Sequence, residues 1–284
     1  MKVAIIGYGF VGRALDFGLN NSTERLIIDP KIGTDIKNIP SFNPDIIFLC
    51  LPTPMLDDGS QDISIINDVI SKLKKERKDT VFVIKSTVLP NNLELIQSSV
   101  SNIVYNPEFL RENTANDDFI NADFIVFGGD IDNCKKVSNF YKLYTKCKCK
   151  EYIYTDIISA SLLKYSINSF LALKVGFFNE LNSIFIKSIA SSSELDWKDF
   201  TDLVSQDKRI GVSHMDVPGH DGRKGFGGAC LPKDLMALYS YSKDIGVESS
   251  IIKSVILSNN KIRSVYQEDT IREMDQNITF NKEF

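Results

Sequence analysis

The sequence predicts an α/β fold, with a doubly wound parallel sheet in its first half and an all-helical second half. Three observations carry this. Short apolar runs alternate with helical stretches up to about Thr155; a glycine turn joins the first run to the first helix; beyond Thr155 apolar residues recur only at helical spacing. The expected domains are 1–155 and 156–284.

In order, Val3–Ile6 reads as a buried strand, Val11–Leu19 as a helix and Leu26–Ile28 as a second strand. Asp45–Leu51 is apolar along most of its length, as a strand covered on both faces must be. Ile63–Lys75 reads as helix, Thr80–Lys85 as strand, Leu93–Ser99 as helix, and Asn102–Tyr105 and Phe124–Phe127 as strands. This alternation is the signature of a parallel sheet. From Ile157 to about Ser192, Leu162, Leu163, Ile167, Phe170, Leu171, Val175, Phe178 and Leu181 follow one helical period. Thr155 or Asp156 would cap that long helix. Asp196–Val204 reads as a further helix, Gly211–Gly228 as a glycine-rich loop, and helix resumes after Pro232 and again over Ser249–Val265. The last fifteen or so residues are polar and are expected to fray.

With 284 residues, 43% of them apolar, the chain is long enough for two cored units. A formal net charge of −4, with charges of both signs, argues against a nucleic-acid binder, which would carry a basic stripe. No apolar run approaches the roughly 18 residues a membrane span needs, and the start, Met1–Gly7, does not read as a signal peptide. Cys50, Cys134, Cys147, Cys149 and Cys230 are an odd set without scaffold spacing, so free thiols and a cytoplasmic protein are expected. Cys147 and Cys149 lack a second pair, and no metal is predicted.

Gly7-Tyr8-Gly9-Phe10-Val11-Gly12 is GxGxxG between a strand and a helix. Gly7 would make the tight turn, Gly9 would let backbone approach a pyrophosphate, and Gly12 would allow close helix–strand packing. Free N–H groups of the helix start, at Phe10 and Val11, would face the phosphates. This is the Rossmann-like fingerprint. Asp29 follows Gly12 by 17 residues, at the end of the second strand, where a carboxylate accepts from ribose hydroxyls and repels a 2′-phosphate. NAD is therefore the predicted cofactor; Lys31, also placed near the cofactor, pulls the other way. The alternatives are a flavin site or an empty fold of this type. Thr53 and Thr87 follow strand carboxyl ends, where ligands lie in such sheets; each would touch ligand or merely cap a helix.

Lys164 and Asn168 are i and i+4, so they share a helix face, with Glu180 roughly on that side. Together the first two form a donor pair suited to a developing oxyanion, against the plainer reading of a snorkelling Lys and a surface Asn. Cys230 follows a glycine loop, precedes Pro232 and adjoins Lys233. A thiol near a helix start beside a cation should ionise readily. The plainer reading, a buried structural Cys, suits Cys50.

Asn106-Pro107-Glu108-Phe109-Leu110-Arg111-Glu112, Lys164-Tyr165-Ser166-Ile167-Asn168 and Gly225-Phe226-Gly227-Gly228-Ala229-Cys230-Leu231-Pro232-Lys233-Asp234, with the N-terminal fingerprint, resemble the UDP-glucose/GDP-mannose dehydrogenase family from Met1 to about Arg263. The resemblance implies a four-electron oxidation of a sugar-nucleotide C6 alcohol to the acid with two NAD⁺, in polysaccharide biosynthesis, with Cys230 as covalent nucleophile. It implies that Lys164 and Asn168 stabilise the oxyanion and contact substrate, that Asp234 and Thr87 place water, and that Glu112 lies near the nicotinamide. Lys233 joins the cofactor contacts. Glu108, Phe109, Leu110, Arg111, Arg209, Arg223 and Gly227 are implied substrate contacts, together with the loop Gly219–Lys224. The loop Val217–Lys224 looks most like members acting on UDP-glucose. The central helices imply a homodimer. The family carries a third domain after its long central helix. Only a short polar tail follows that helix here, so that domain is expected to be missing and nucleotide binding weaker.

Two other readings compete. A single-hydride β-hydroxyacid or 6-phosphogluconate-type dehydrogenase also pairs GxGxxG with a helical Lys-x-x-x-Asn, but needs no thiol. A non-catalytic NAD or sugar-nucleotide module would bind without turnover. A Cys–His hydrolase using His220 leaves the dinucleotide fold unexplained.

Overall fold

The computed structural model describes residues 1–73, 80–189 and 195–280. The chain divides into two compact units: Met1–Thr53 with Gln61–Lys164, and Pro54–Ser60 with Tyr165–Phe284.

The first unit is a seven-stranded sheet in the order β2-β1-β3-β4-β5-β6-β7. Its strands are β1 (Lys2–Ile6), β2 (Glu24–Ile28), β3 (Ile46–Leu49), β4 (Val81–Ile84), β5 (Ile103–Tyr105), β6 (Phe124–Gly129) and β7 (Glu151–Thr155). The helices up to β7 are α1 (Phe10–Gly18), α2 (Ile39–Phe42), α3 (Ser64–Leu73), α4 (Pro90–Ser99), α5 (Ala115–Ile120) and α6 (Ile131–Tyr144). Strands β1, β3 and β4 are buried on both faces because two apolar clusters cover the sheet. One cluster includes Ala4, Ile47 and Ile84; the other includes Ile5, Phe48 and Val83.

The sheet departs from the fully parallel expectation at one place. β5 and β6 run antiparallel, with Val104 opposite Gly129 and Tyr105 opposite Gly128. An apolar run alternates its faces identically in either direction, so the sequence pattern carries no sign for it. Gly129 has φ 137, which favours glycine. Four elements of this unit were missed: α2, α5, α6 and β7. α6 starts at Asp130, whose carboxylate accepts from the N–H groups of Asp132 and Asn133. β7 is a half-exposed edge strand parallel to β6.

The long helix is α7 (Ile157–Ile189). Asp156 caps it, its Oδ1 accepting the Ser159 N–H at 2.8 Å. The expected end near Ser192 lies outside the described residues. The division between the units falls within this helix. The second unit also holds α8 (Trp197–Val204), α9 (Leu231–Asp244), α10 (Ser250–Arg263) and α11 (Ile271–Met274). Met55, Ala172, Phe226, Leu235, Met236 and Ile256 form its buried apolar cluster.

The expectation of a fraying tail is overturned up to Phe280. Thr270 and Glu273 form a capping box that opens α11. Glu273, Ile278 and Phe280 are buried. Polarity misled because Glu273 is paired with the buried Arg263 over 2.7 Å, and a charge so paired is stable inside. Among the described residues, no helix is long and apolar enough to cross a membrane.

Candidate functional site

In the first unit the glycine fingerprint forms the turn between β1 and α1. Gly7 has φ 93, and a Cβ there would lie 2.2 Å from the Cys50 carbonyl oxygen. A Cβ on Gly12 would lie 2.1 Å from the Gly7 carbonyl oxygen. A Cβ on Gly9 would meet nothing within 4 Å. Gly9 is also the N-cap of α1 and offers no side-chain cap, so the helix start is left to a ligand. At the end of β2 the Asp29 carboxylate accepts the Tyr8 N–H (2.7 Å) and the Lys31 N–H (2.8 Å). It is thereby anchored beside the turn, with lone pairs to spare for hydroxyl donors. Open space over Gly9, a helix start and an anchored carboxylate together fit a dinucleotide. The Lys31 side chain is exposed.

The strand ends bring Thr53 and Thr87 together. Thr53 Oγ1 donates to the Thr87 carbonyl at 3.1 Å, and both residues are buried. Gln61, which the sequence reading passed over, donates through Nε2 to the same carbonyl at 2.9 Å. Its Oε1 accepts the Leu89 N–H at 3.0 Å. A glutamine in a loop leaves no signal that could have singled it out.

Beyond β5, Glu108 and Lys164 form a buried pair. Lys164 Nζ donates to the Glu108 carbonyl at 2.6 Å and faces its Oε1 at 3.3 Å. Glu108 Oε2 accepts the Leu110 N–H at 2.7 Å, and Lys164 lies 5.3 Å from the Phe109 ring centre. The snorkelling alternative fails for Lys164, because the whole side chain is buried. Arg111 is exposed and held by Asp118 at 2.6 Å, which raises its pKa and lowers that of Asp118. Glu112 is exposed at the head of a short 3₁₀ turn. Deeper, Lys85 donates to the Asn106 carbonyl, Asn106 Oδ1 and the Tyr141 hydroxyl. Burial pulls its pKa down to about 8. Burial pushes the Cys50 thiol up to about 12, so this thiol is no nucleophile at neutral pH.

In the second unit, Cys230 is the half-buried N-cap of α9, with Pro232 in its first turn. One turn on, the buried Asp234 carboxylate accepts from Asn168 Nδ2 at 2.7 Å and Lys233 Nζ at 2.6 Å. Asn168 is thus neither surface nor idle, and Lys233 is tied to Asp234 as well as adjoining Cys230. The loop before Cys230 is gripped through its backbone. Gly225 N–H donates to Asn179 Oδ1, Phe226 N–H to Asn259 Oδ1, and Gly228 N–H to Glu273 Oε1. A Cβ on Gly227 would lie 2.0 Å from Arg263 Nη2. Arg223 donates to the Glu268 carbonyl at 2.7 Å and lies over Tyr266. Arg209 is exposed and engaged by Asp207. Glu180, expected beside Asn168, is exposed and accepts from Ser258 instead, because twelve residues fall short of a whole number of periods shared with that face.

Residues 31–148 match the NAD binding domain, and residues 158–261 the central domain, of the UDP-glucose/GDP-mannose dehydrogenase family. The chain belongs to this family. A UDP-glucose 6-dehydrogenase of Rickettsia bellii is 34% identical over 245 residues, which is 83% of this chain and 54% of that protein. One from Bacillus subtilis is 34% identical over 226 residues, 76% of this chain and 48% of its own. The chain thus spans about half the length of the curated relatives it matches. Among solved structures, a UDP-glucose dehydrogenase of Pyrobaculum islandicum superposes with TM-score 0.74 at 24% identity, covering 92% of this chain and 68% of that one. A 3-hydroxyisobutyrate dehydrogenase of Mycobacterium tuberculosis shares the fold at TM-score 0.68 and 14% identity, covering 98% and 96%. Membership makes NAD the cofactor of the first unit, in agreement with the open glycine turn and Asp29.

Proposed function

We propose that the protein oxidises the C6 alcohol of a UDP-sugar, UDP-glucose first among them, to the carboxylate through a covalent intermediate on Cys230. The observation that carries this reading is the placement of Cys230 at the start of α9, one turn before a buried Asp234 that already holds the Asn168 amide. A single-hydride dehydrogenase has no use for a thiol there.

Bound NAD⁺ supplies the hydride acceptor for each of two oxidations. In the first, the alcohol carbon loses a hydride and its oxygen a proton, giving an aldehyde. The Cys230 thiolate then forms a C–S bond to the aldehyde carbon, and the carbonyl electrons move to oxygen. Lys164 and Asn168 are the donors for that oxygen. Loss of a second hydride from the same carbon gives a thioester. Water then forms a C–O bond as the C–S bond breaks, releasing the acid and the thiolate. Asp234 and Thr87 place that water, and Glu112 lies near the nicotinamide. Gly7, Gly9, Phe10, Val11, Gly12, Asp29, Lys31, Thr53 and Lys233 serve the cofactor. Glu108, Phe109, Leu110, Arg111, Arg209, Arg223 and Gly227 serve the sugar nucleotide.

We further infer that the working form is a cytoplasmic homodimer. Phe170, Phe177 and Ile184 recur every seven residues along α7 and are exposed at 65%, 59% and 60%, an apolar stripe that a second copy would cover. Light scattering giving a monomer at working concentration would refute this.

The test of the reaction is NADH yield with a panel of sugar nucleotides. Two NADH per sugar are expected with the wild type, and a loss of at least about a thousandfold in acid formation with Cys230→Ser. One alternative is a single-hydride oxidation. One NADH per substrate, insensitive to Cys230→Ser, would establish it. NAD⁺ binding with flat absorbance throughout would instead mark a binding module.

A further inference from the structure

Residues after Lys261 lie beyond the family match. They nevertheless make buried polar contacts with the loop that carries Cys230. Glu273, fully buried, accepts the Gly228 N–H at 3.1 Å and Arg263 Nη2 at 2.7 Å through Oε1, and the Thr270 N–H at 2.7 Å through Oε2. Arg263 is itself buried and donates through Nη1 to Asp221 Oδ2 at 2.7 Å. One guanidinium therefore joins the loop at Asp221 to the tail at Glu273, and Glu273 reaches the backbone two residues before Cys230. Burial would raise the Glu273 pKa, but the Thr270 and Gly228 N–H donors and Arg263 bring it below the ordinary value. The tail is fixed at a second point: the Gln276 carbonyl accepts the Met55 N–H at 3.1 Å, and Asn277 Nδ2 donates to the Met55 carbonyl at 3.3 Å. Phe280 also lies against Arg263, its ring centre 5.2 Å from the guanidinium carbon.

We propose that Glu273 is a positioning residue for the Cys230 thiol, holding Gly228, with Arg263 as its counter-ion, so that Cys230 stays at the start of α9. A carboxylate suits this task because one oxygen accepts from both the guanidinium and the Gly228 N–H while the other takes the Thr270 N–H. Gly227 has no side chain because the Arg263–Glu273 pair fills that space: its Cβ would lie 2.0 Å from Arg263 Nη2 and 2.4 Å from Glu273 Oε1. The consequence for turnover rests on the reading of Cys230 as nucleophile. The positioning itself does not.

The test is the rate of Cys230 alkylation by iodoacetamide in the full chain between pH 5.5 and 9.5, resolved by peptide mass spectrometry. Cys230→Ser identifies the reporting peptide. Glu273→Ala is expected to change the Cys230 rate at least fivefold and to move its pH midpoint. Glu273→Gln, which keeps an acceptor for Gly228 and Arg263, should stay within twofold of wild type. Should Glu273→Ala fail to fold, Glu273→Asp, shorter by one methylene, carries the same expectation. Wild-type rate and midpoint in the folded Ala or Asp variant overturn the proposal, as does a Gln variant no closer to wild type than they are. Turnover then separates the two readings. Altered alkylation with unaltered kcat leaves the clamp standing and removes Cys230 as nucleophile. Unaltered alkylation removes the clamp whatever the activity.

Discussion

The protein has two glycine turns that look alike on paper and are built by opposite means. At Gly7–Gly12 the close contacts are backbone on backbone: Gly12 against the carbonyl of Gly7, and Gly7 against the Cys50 carbonyl just past β3. At Gly225–Gly228 the close contacts are side chains from far along the chain, Asn259, Arg263 and Glu273. The first turn is shaped by main chain, its own and that of the strand beside it. The second borrows its shape from a helix and a tail that the loop's own sequence does not mention. A turn of the first kind leaves space for a ligand at Gly9. The second kind spends Gly225 and Gly227 on packing and leads, through Gly228 and Ala229, to the half-buried Cys230.

The comparison predicts different responses to one added methyl. Gly12→Ala should have the largest effect, because a carbonyl oxygen cannot move aside. Overpacking of about 1–3 kcal/mol or more is expected, with loss of measurable NAD⁺ binding by calorimetry. Gly227→Ala should cost a similar or smaller amount, and it should couple to Glu273→Ala. A double-mutant cycle by urea unfolding is expected to give an interaction of about 1 kcal/mol or more. Additivity would show that the loop is not shaped by the tail. Gly9→Ala should change stability by no more than about 0.5 kcal/mol, since its Cβ meets nothing. It should still weaken NAD⁺ binding roughly tenfold, whereas unchanged binding would empty the turn of its ligand role.

A last effect, seen only against pH, concerns the sheet beneath the first turn. Burial holds the Lys85 pKa down to about 8, well below its ordinary 10.5. The unfolded chain therefore binds more protons between those values, and stability rises with pH across that window. Below about pH 8 both states are protonated and the burial penalty is constant. Lys85→Met should flatten the rise seen in urea unfolding between pH 8 and 10. An unchanged slope would mean that the lysine's charge is compensated inside.

Much of the candidate site was legible because its residues sit in runs whose local geometry follows from spacing. Lys164 and Asn168 share a helix face by the 3.6-residue period, and Asp234 follows Cys230 by one turn. The roles of Glu108 and Asp234 as direct partners of Lys164 and Asn168 were not legible, since each pair joins residues 56 or 66 apart in sequence. The carboxylates that engage Arg111 and Arg209, both implied substrate contacts, were not read from the sequence.

The sequence by itself determined the alternation of strand and helix, the glycine turn with its acidic partner, and the long second-half helix, because periodicity and glycine chemistry act over a few residues. Only the tertiary structure decided the reversed direction of β6, which apolar alternation cannot encode. Only it decided the fate of the tail, where a polar segment became interior because Glu273 met Arg263. Burial of a charge depends on its partner, and the partner here is chosen by the fold.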